Sequence, residues 1–110
     1  MFQQFIGKSD YDRFVEENPA VLAYFSTVEC GVCKVLKPKV EEMISREFPE
    51  IKLVYVEINQ SPEIAAQNRI FTVPVVLVYF EGREFFRKSR NFGVDELRNE
   101  LIRPYSLLFS

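Results

Sequence analysis

The stretch Thr27-Val28-Glu29-Cys30-Gly31-Val32-Cys33-Lys34 decides how the chain is read. It holds both cysteines of the 110-residue sequence, spaced Cys-x-x-Cys. The apolar run Ala20 to Phe25 leads into it without polar alternation, as expected of a strand covered on both faces. Val35, Leu36, Val40, Met43, Ile44 and Phe48 follow at helical spacing, so a helix over Val32 to Phe48 leads out of it. The two thiols therefore sit where a buried strand ends and a helix begins. A helix N-terminus offers unpaired N–H groups and a partial positive charge, and both stabilise a thiolate. Cysteines three apart in a first turn also come close enough to join. The stretch points to dithiol–disulfide chemistry.

Outward from this centre, the chain alternates strands and helices. Phe2 to Ile6 reads as a short edge strand. Ser9 is placed as the N-cap of a helix over Asp10–Glu17, carrying Tyr11, Phe14 and Val15 and stopped by Asn18-Pro19. Pro38 falls inside the cysteine helix and is expected to kink it, and Phe48-Pro49 ends it. Ile51 to Ile58 is a second central strand. Ser61 and Pro62 open a short helix over Glu63 to Arg69. Val75 to Phe80 and Arg83 to Lys88 are strands joined by Glu81-Gly82 in a hairpin. Val94 to Ile102 is a last helix, stopped by Pro104. The order β-α-β-α-β-α-β-β-α predicts an α/β fold, a mixed sheet of four to five strands with helices on both faces. The length suits one domain over residues 1–110.

Composition limits the chemistry. Hydrophobic residues make up 47% of the chain and include eleven Phe, enough to build a core. The net charge of −2 gives no basic footprint for nucleic acid and no polybasic membrane patch. No apolar run approaches the ~20 residues of a membrane span. With no His in the chain, imidazole catalysis is excluded. Two cysteines alone cannot complete a protein-only zinc site, so no metal and no cofactor is expected. The N-terminal residues are too few and too polar for a secretory leader, and a cytoplasmic protein is expected.

Three features together resemble the thioredoxin family. They are Cys30-Gly31-Val32-Cys33 after a strand, Pro38 five residues beyond the second cysteine, and Phe71-Thr72-Val73-Pro74 before a hairpin. The resemblance covers about Ser9 to Arg103. It implies a thioredoxin fold and an activity that reduces or exchanges protein disulfides. Cys30 would be the exposed nucleophile and Cys33 the buried resolving thiol. Pro74 would be a cis-proline facing them, with the Val73 backbone pairing to an extended substrate segment. Gly82 would be the hairpin turn glycine. Protein disulfides would be the substrates, an upstream disulfide reductase would supply electrons, and the protein would work as a monomer.

The sequence departs from the family pattern around this groove. Gly31-Val32 stands where Gly-Pro is usual, and Glu29 where Trp is usual. The family's buried Asp aligns with Tyr24, and the Lys that accompanies it aligns with Tyr55. A groove glycine aligns with Arg90. Tyr24 and Tyr55 read either as core packing or as a hydroxyl donor to the Cys33 sulfur. Arg90 is expected to favour a Cys30 thiolate or pair with Glu29, and to narrow the groove. Lys34 reads as a solvated helix residue, and Phe85-Phe86 as core with one exposed face. The alternative to an oxidoreductase is a binding or scaffold module on the same fold, with a regulatory or vestigial Cys-x-x-Cys.

Overall fold

The computed structural model describes residues 2–5 and 7–109. Elements follow in the order β1 (Phe2–Gln4), α1 (Lys8–Glu17), β2 (Ala20–Ser26), α2 (Gly31–Glu47), β3 (Lys52–Glu57), α3 (Pro62–Gln67), β4 (Val75–Phe80), β5 (Arg83–Ser89) and α4 (Val94–Phe109). This is the element order the sequence predicts. Among the described residues the strands form one five-stranded sheet, ordered β1-β3-β2-β4-β5. The β1–β3 and β2–β3 pairs are parallel, while β2–β4 and β4–β5 are antiparallel.

β2 lies at the centre, and every one of its residues is buried. Its side chains alternate between two cores, as the pleat of a strand requires. Ala20, Leu22 and Tyr24 face the layer that holds Cys33, Leu36, Val40 and Ile44 of α2 with Leu97 and Leu101 of α4. Val21, Ala23 and Phe25 face the opposite layer, with Tyr11 and Val15 of α1 and Ile64 of α3. Two apolar layers explain why AVLAYF carries no polar alternation. They also fix the register, because a one-residue slip would exchange the two faces.

Three local expectations are corrected. Helix α1 starts at Lys8, with Gly7 in extended conformation as its cap, so Ser9 lies within the first turn. The Gly7 carbonyl accepts from Tyr11 N, and Lys8 pairs with Asp12 one turn on at 3.0 Å, which carries the helix back past Ser9. Pro104 does not end α4, which runs on to Phe109. A mid-helix proline loses one hydrogen bond and crowds the carbonyl four residues back. Packing outweighs this: the Tyr105 ring meets Phe48 edge-on at 5.0 Å, and its hydroxyl accepts from Glu50 N at 3.1 Å. The edge strand spans Phe2–Gln4; Ile6, its expected end, lies outside the described residues.

Of the Phe85-Phe86 pair, Phe86 packs against the Cys33 layer. Phe85 is the extra residue of a bulge, since Phe86 pairs with Val78 and Glu84 with Tyr79. It is 59% exposed and rests edge-on against Phe80. The hairpin turn uses positive φ at both Glu81 (56°) and Gly82 (81°), as a tight two-residue turn demands.

Candidate active site

Chain direction brings the site together. β2 delivers the chain to Thr27, and Cys30 N donates to the Thr27 carbonyl at 3.2 Å. Cys30 then caps α2 from an extended conformation, with φ −79° and ψ 103°. Its Sγ accepts from Cys33 N at 3.1 Å. One orphan amide of the helix start is thereby aimed at the sulfur, which also sits in the positive field of a 17-residue helix. Cys30 and Cys33 are joined in a disulfide, with Cα atoms 5.2 Å apart. Cys33 is 1% exposed and belongs to the α2–α4 core, whereas Cys30 is half-buried at its edge. The two sulfurs differ in access because helix geometry turns the third residue of α2 inward.

The Val73–Pro74 peptide is cis. Pro74 is buried, and Val73 packs against the same apolar cluster as Cys30. Among the described residues, Val73 takes part in none of the backbone hydrogen bonds outside the helices and strands. The Pro74 carbonyl accepts from Arg90 N at 2.9 Å, so the turn after β5 is tied directly to the cis-proline. Arg90 holds φ +60°, the left-handed region that favours glycine. Its side chain is exposed, and it makes no ion pair with Glu29 among the described residues. Glu29, Gly31 and Val32 are exposed around Cys30, and a Cβ on Gly31 would meet nothing within 4 Å.

Behind Cys33 the family's ion-pair positions carry two aromatic rings. Tyr24 and Tyr55 are register partners across β2 and β3, and their rings stack with centroids 6.4 Å apart. The Tyr24 hydroxyl donates to the Cys33 carbonyl at 2.8 Å, so of the two readings of Tyr24 the ring is packed in the core and its hydroxyl partner is the Cys33 backbone oxygen, not the sulfur. Burial first, then the neighbouring Tyr55, pushes the Tyr24 phenol well above its ordinary range. Tyr24 therefore stays protonated at neutral pH. The Tyr55 hydroxyl and Ser26 Oγ are 3.2 Å apart.

Several residues at the site escape a reading of sequence alone. Lys37 lays its ammonium over the rings of Tyr55 and Phe2, at 4.6 and 5.2 Å from their centroids. Its position one turn after Cys33 is the signal that could have found it. A cavity of about 470 Å³ lies beside Cys33, lined by Ser26, Lys34, Lys37, Glu41 and Tyr55 among others. On the other flank of Gly31 and Val32, a groove of about 480 Å³ is lined by Val35, Leu36, Phe92 and Val94. Phe71, three residues before Pro74, is 85% exposed, and Val32 is 64% exposed. The surface around Cys30 is therefore apolar at several points.

A pair of sulfurs that can be joined or parted at the start of a helix, one reachable and one enclosed, makes this a thiol–disulfide oxidoreductase. Known proteins narrow the class. The thioredoxin family model matches residues 3–103. The chain is 31% identical over 96 residues to the thioredoxin-like protein YdfQ of Bacillus subtilis, covering 87% of this chain and 85% of that protein. It is 34% identical over 86 residues to thioredoxin of Chlamydia trachomatis, covering 78% and 79% of the two chains. The X-ray structure of Fasciola hepatica thioredoxin is similar with a TM-score of 0.81 at 25% identity, over 93% of this chain and 98% of that one. The chain belongs to the thioredoxin family.

Proposed function

We propose that the protein reduces a restricted set of protein disulfides, with Cys30 as nucleophile and Cys33 as resolving thiol. The Cys30 thiolate attacks one sulfur of a client disulfide. A Cys30–client disulfide forms, the client's own S–S bond breaks, and the departing client sulfur takes up a proton. Cys33 then loses its proton and attacks Cys30 Sγ. The Cys30–Cys33 bond forms and the second client thiol leaves. An upstream dithiol reductase returns two electrons and two protons. The observation that carries this assignment is the contrast between a half-buried Cys30 at the helix start and a Cys33 only 1% exposed.

The surroundings support a client bound as an extended segment. The Val73 backbone lies beside the cis-proline and is open to strand-like pairing with a passing chain. Val32, Val35 and Phe92 offer apolar contacts to its side chains. The Arg90 side chain, where the family pattern has none, narrows the choice of clients. We place this activity in the cytoplasm and in a monomer, because both cysteines are committed to one exchangeable pair and none is left for a structural bridge. The scaffold alternative is disfavoured by the intact sulfur pair.

The test is a Cys33→Ser variant exposed to cell extract under non-reducing conditions. Clients should accumulate on Cys30 as mixed disulfides that a reductant releases. An empty trap, with Cys30 shown to be reduced and reactive beforehand, would overturn the reductase reading in favour of a scaffold.

A further inference from the structure

The resolving step needs Cys33 as a thiolate, and the residues beside it leave one question open: what stabilises that charge. A buried carboxylate is absent from the family's position, because Tyr24 stands there. Its phenol remains protonated and already donates to the Cys33 carbonyl. Polar and charged groups from three elements line the cavity beside Cys33 or bond to its backbone. From α2 they are Cys30, Lys34, Lys37 and Glu41; from β2, Tyr24 and Ser26; from β3, Tyr55. β4 brings the apolar Val76. Two of these groups are cations, and they differ in how they are held. Lys34 is exposed and adjacent in sequence to Cys33, and neighbours in sequence do not face each other on a helix. Lys37 is half-buried, one turn along the same face, and its ammonium is held over Tyr55 and Phe2. Tyr55 in turn stacks on Tyr24, which is bonded to Cys33. Lys37 and Cys33 line the same cavity.

Resting on the reading of Cys33 as resolving thiol, we propose that Lys37 is the cation that favours the Cys33 thiolate during resolution. The Cys33 proton passes to water in the cavity, which is wide enough to admit it and is lined in part by the polar side chains of Ser26, Lys34 and Tyr55. The sulfur left behind carries a negative charge beside the cavity that Lys37 also lines, and a nearby opposite charge favours the ionised form. The thiolate then attacks Cys30 Sγ, the bond from Cys30 to the client sulfur breaks, and the client sulfur leaves with the electron pair and is protonated. The aromatic pair has a role in this arrangement. Tyr55 and Phe2 present ring faces that hold the ammonium in place.

The experiment follows resolution directly. Reduced protein is loaded at Cys30 with one thionitrobenzoate, and release of the coloured thiol by Cys33 is timed from pH 5 to 10. Lys37→Met and Lys37→Gln should move the midpoint of the rate profile upward by about one pH unit and slow release about tenfold near pH 7. Lys37→Arg, which keeps the charge, should stay within about threefold of the parent. Denaturation midpoints of the variants separate a charge effect from loss of structure. Parent-like profiles in both neutral variants, or an Arg variant that behaves like them, would overturn the proposal while leaving the roles of the cysteines intact. Loading on Cys33 in place of Cys30 would instead overturn the assignment of the two thiols.

Discussion

The Tyr24 hydroxyl donates to the backbone carbonyl of Cys33 across 2.8 Å, tying the central strand to the first turn of the active-site helix. Removing that hydroxyl in Tyr24→Phe should cost about 1 kcal/mol, the net worth of one such bond. Tyr24→Asp should cost more, about 3 kcal/mol at neutral pH, since it replaces a buried ring by a buried carboxylate. The sign of its pH dependence follows. Burial raises the folded-state pKa of the new acid, so the excess cost is small below the unfolded value of about 4 and grows as pH rises through it. Urea denaturation of both variants at pH 4 and pH 7 measures this. Equal stability of Tyr24→Asp and the parent at pH 7 would contradict the described packing.

Alkali should attack the fold through its phenols. Burial pushes Tyr11 and Tyr24 far up and Tyr79 to about 12. Tyr11 and Tyr79 also share a hydrogen bond of 2.9 Å. Raised folded-state values mean that the native protein holds these protons more tightly than the unfolded chain. Their contribution is complete below about pH 10, the ordinary phenol value, and is lost as pH climbs through the folded-state values. Phenolate absorbance from Tyr11, Tyr24 and Tyr79 should therefore rise together with loss of circular dichroism above about pH 10 to 11, rather than before it. Ionisation of Tyr11, Tyr24 and Tyr79 in a protein that keeps its native spectrum would refute this.

Cys30 should be alkylated at least about tenfold faster than Cys33 in the reduced protein, given a half-buried sulfur at a helix start beside one that is enclosed. Mass spectrometry of partially labelled protein reads the ratio. Faster labelling of Cys33 would reverse the assigned roles.

Among the described residues, three that are not glycine hold positive φ: Arg69, Glu81 and Arg90. Glycine at each should stabilise the fold by about 0.5 to 1 kcal/mol, the left-handed penalty less the extra freedom of the unfolded chain. Arg69→Gly is the cleanest case, since its side chain is exposed and its amide closes α3 by donating to the Ala66 carbonyl. Arg90→Gly should stabilise similarly and also widen the range of peptide disulfides reduced. A drop in thermal midpoint for Arg69→Gly would show that its side chain contributes more than its backbone costs.

Tyr105→Ala should cost about 1 to 2 kcal/mol through the lost ring contact with Phe48 and the lost acceptor of Glu50 N. Chemical denaturation measures it. No change would mean that α4 beyond Pro104 adds nothing to the core.

Much of this architecture is written plainly in the chain. AVLAYF could be read as a doubly covered strand because both of its faces meet apolar layers, and VVLVYF likewise. Glu81-Gly82 could be read as a hairpin turn because few residues accept its backbone. The end of α4 could not. Pro104 is a strong local stop, and what overrides it is the contact of Tyr105 with Phe48, far away in sequence. Arg90 carries no local sign of its left-handed backbone, which follows from the hydrogen bond to Pro74. Lys37 is not singled out by the sequence, because Phe2 and Tyr55, from two strands, meet it only in the folded chain. Contacts of this kind depend on the assembled sheet and lie beyond what periodicity can tell.

The stacked pair of Tyr24 and Tyr55 also constrains how this sequence can change. An exchange of Tyr24 for Asp alone would replace a buried ring by an anion, and an exchange of Tyr55 for Lys alone would remove the ring that holds Lys37 and add a second cation beside it. Each single step toward the ion-paired form costs stability, although the two together could offset one another. The aromatic and ionic versions of this core are thus separated by a valley that a lineage crosses only with stability in reserve. Once the rings were in place, selection would act on the positions around them, Lys37 first among these, far more readily than on the pair itself.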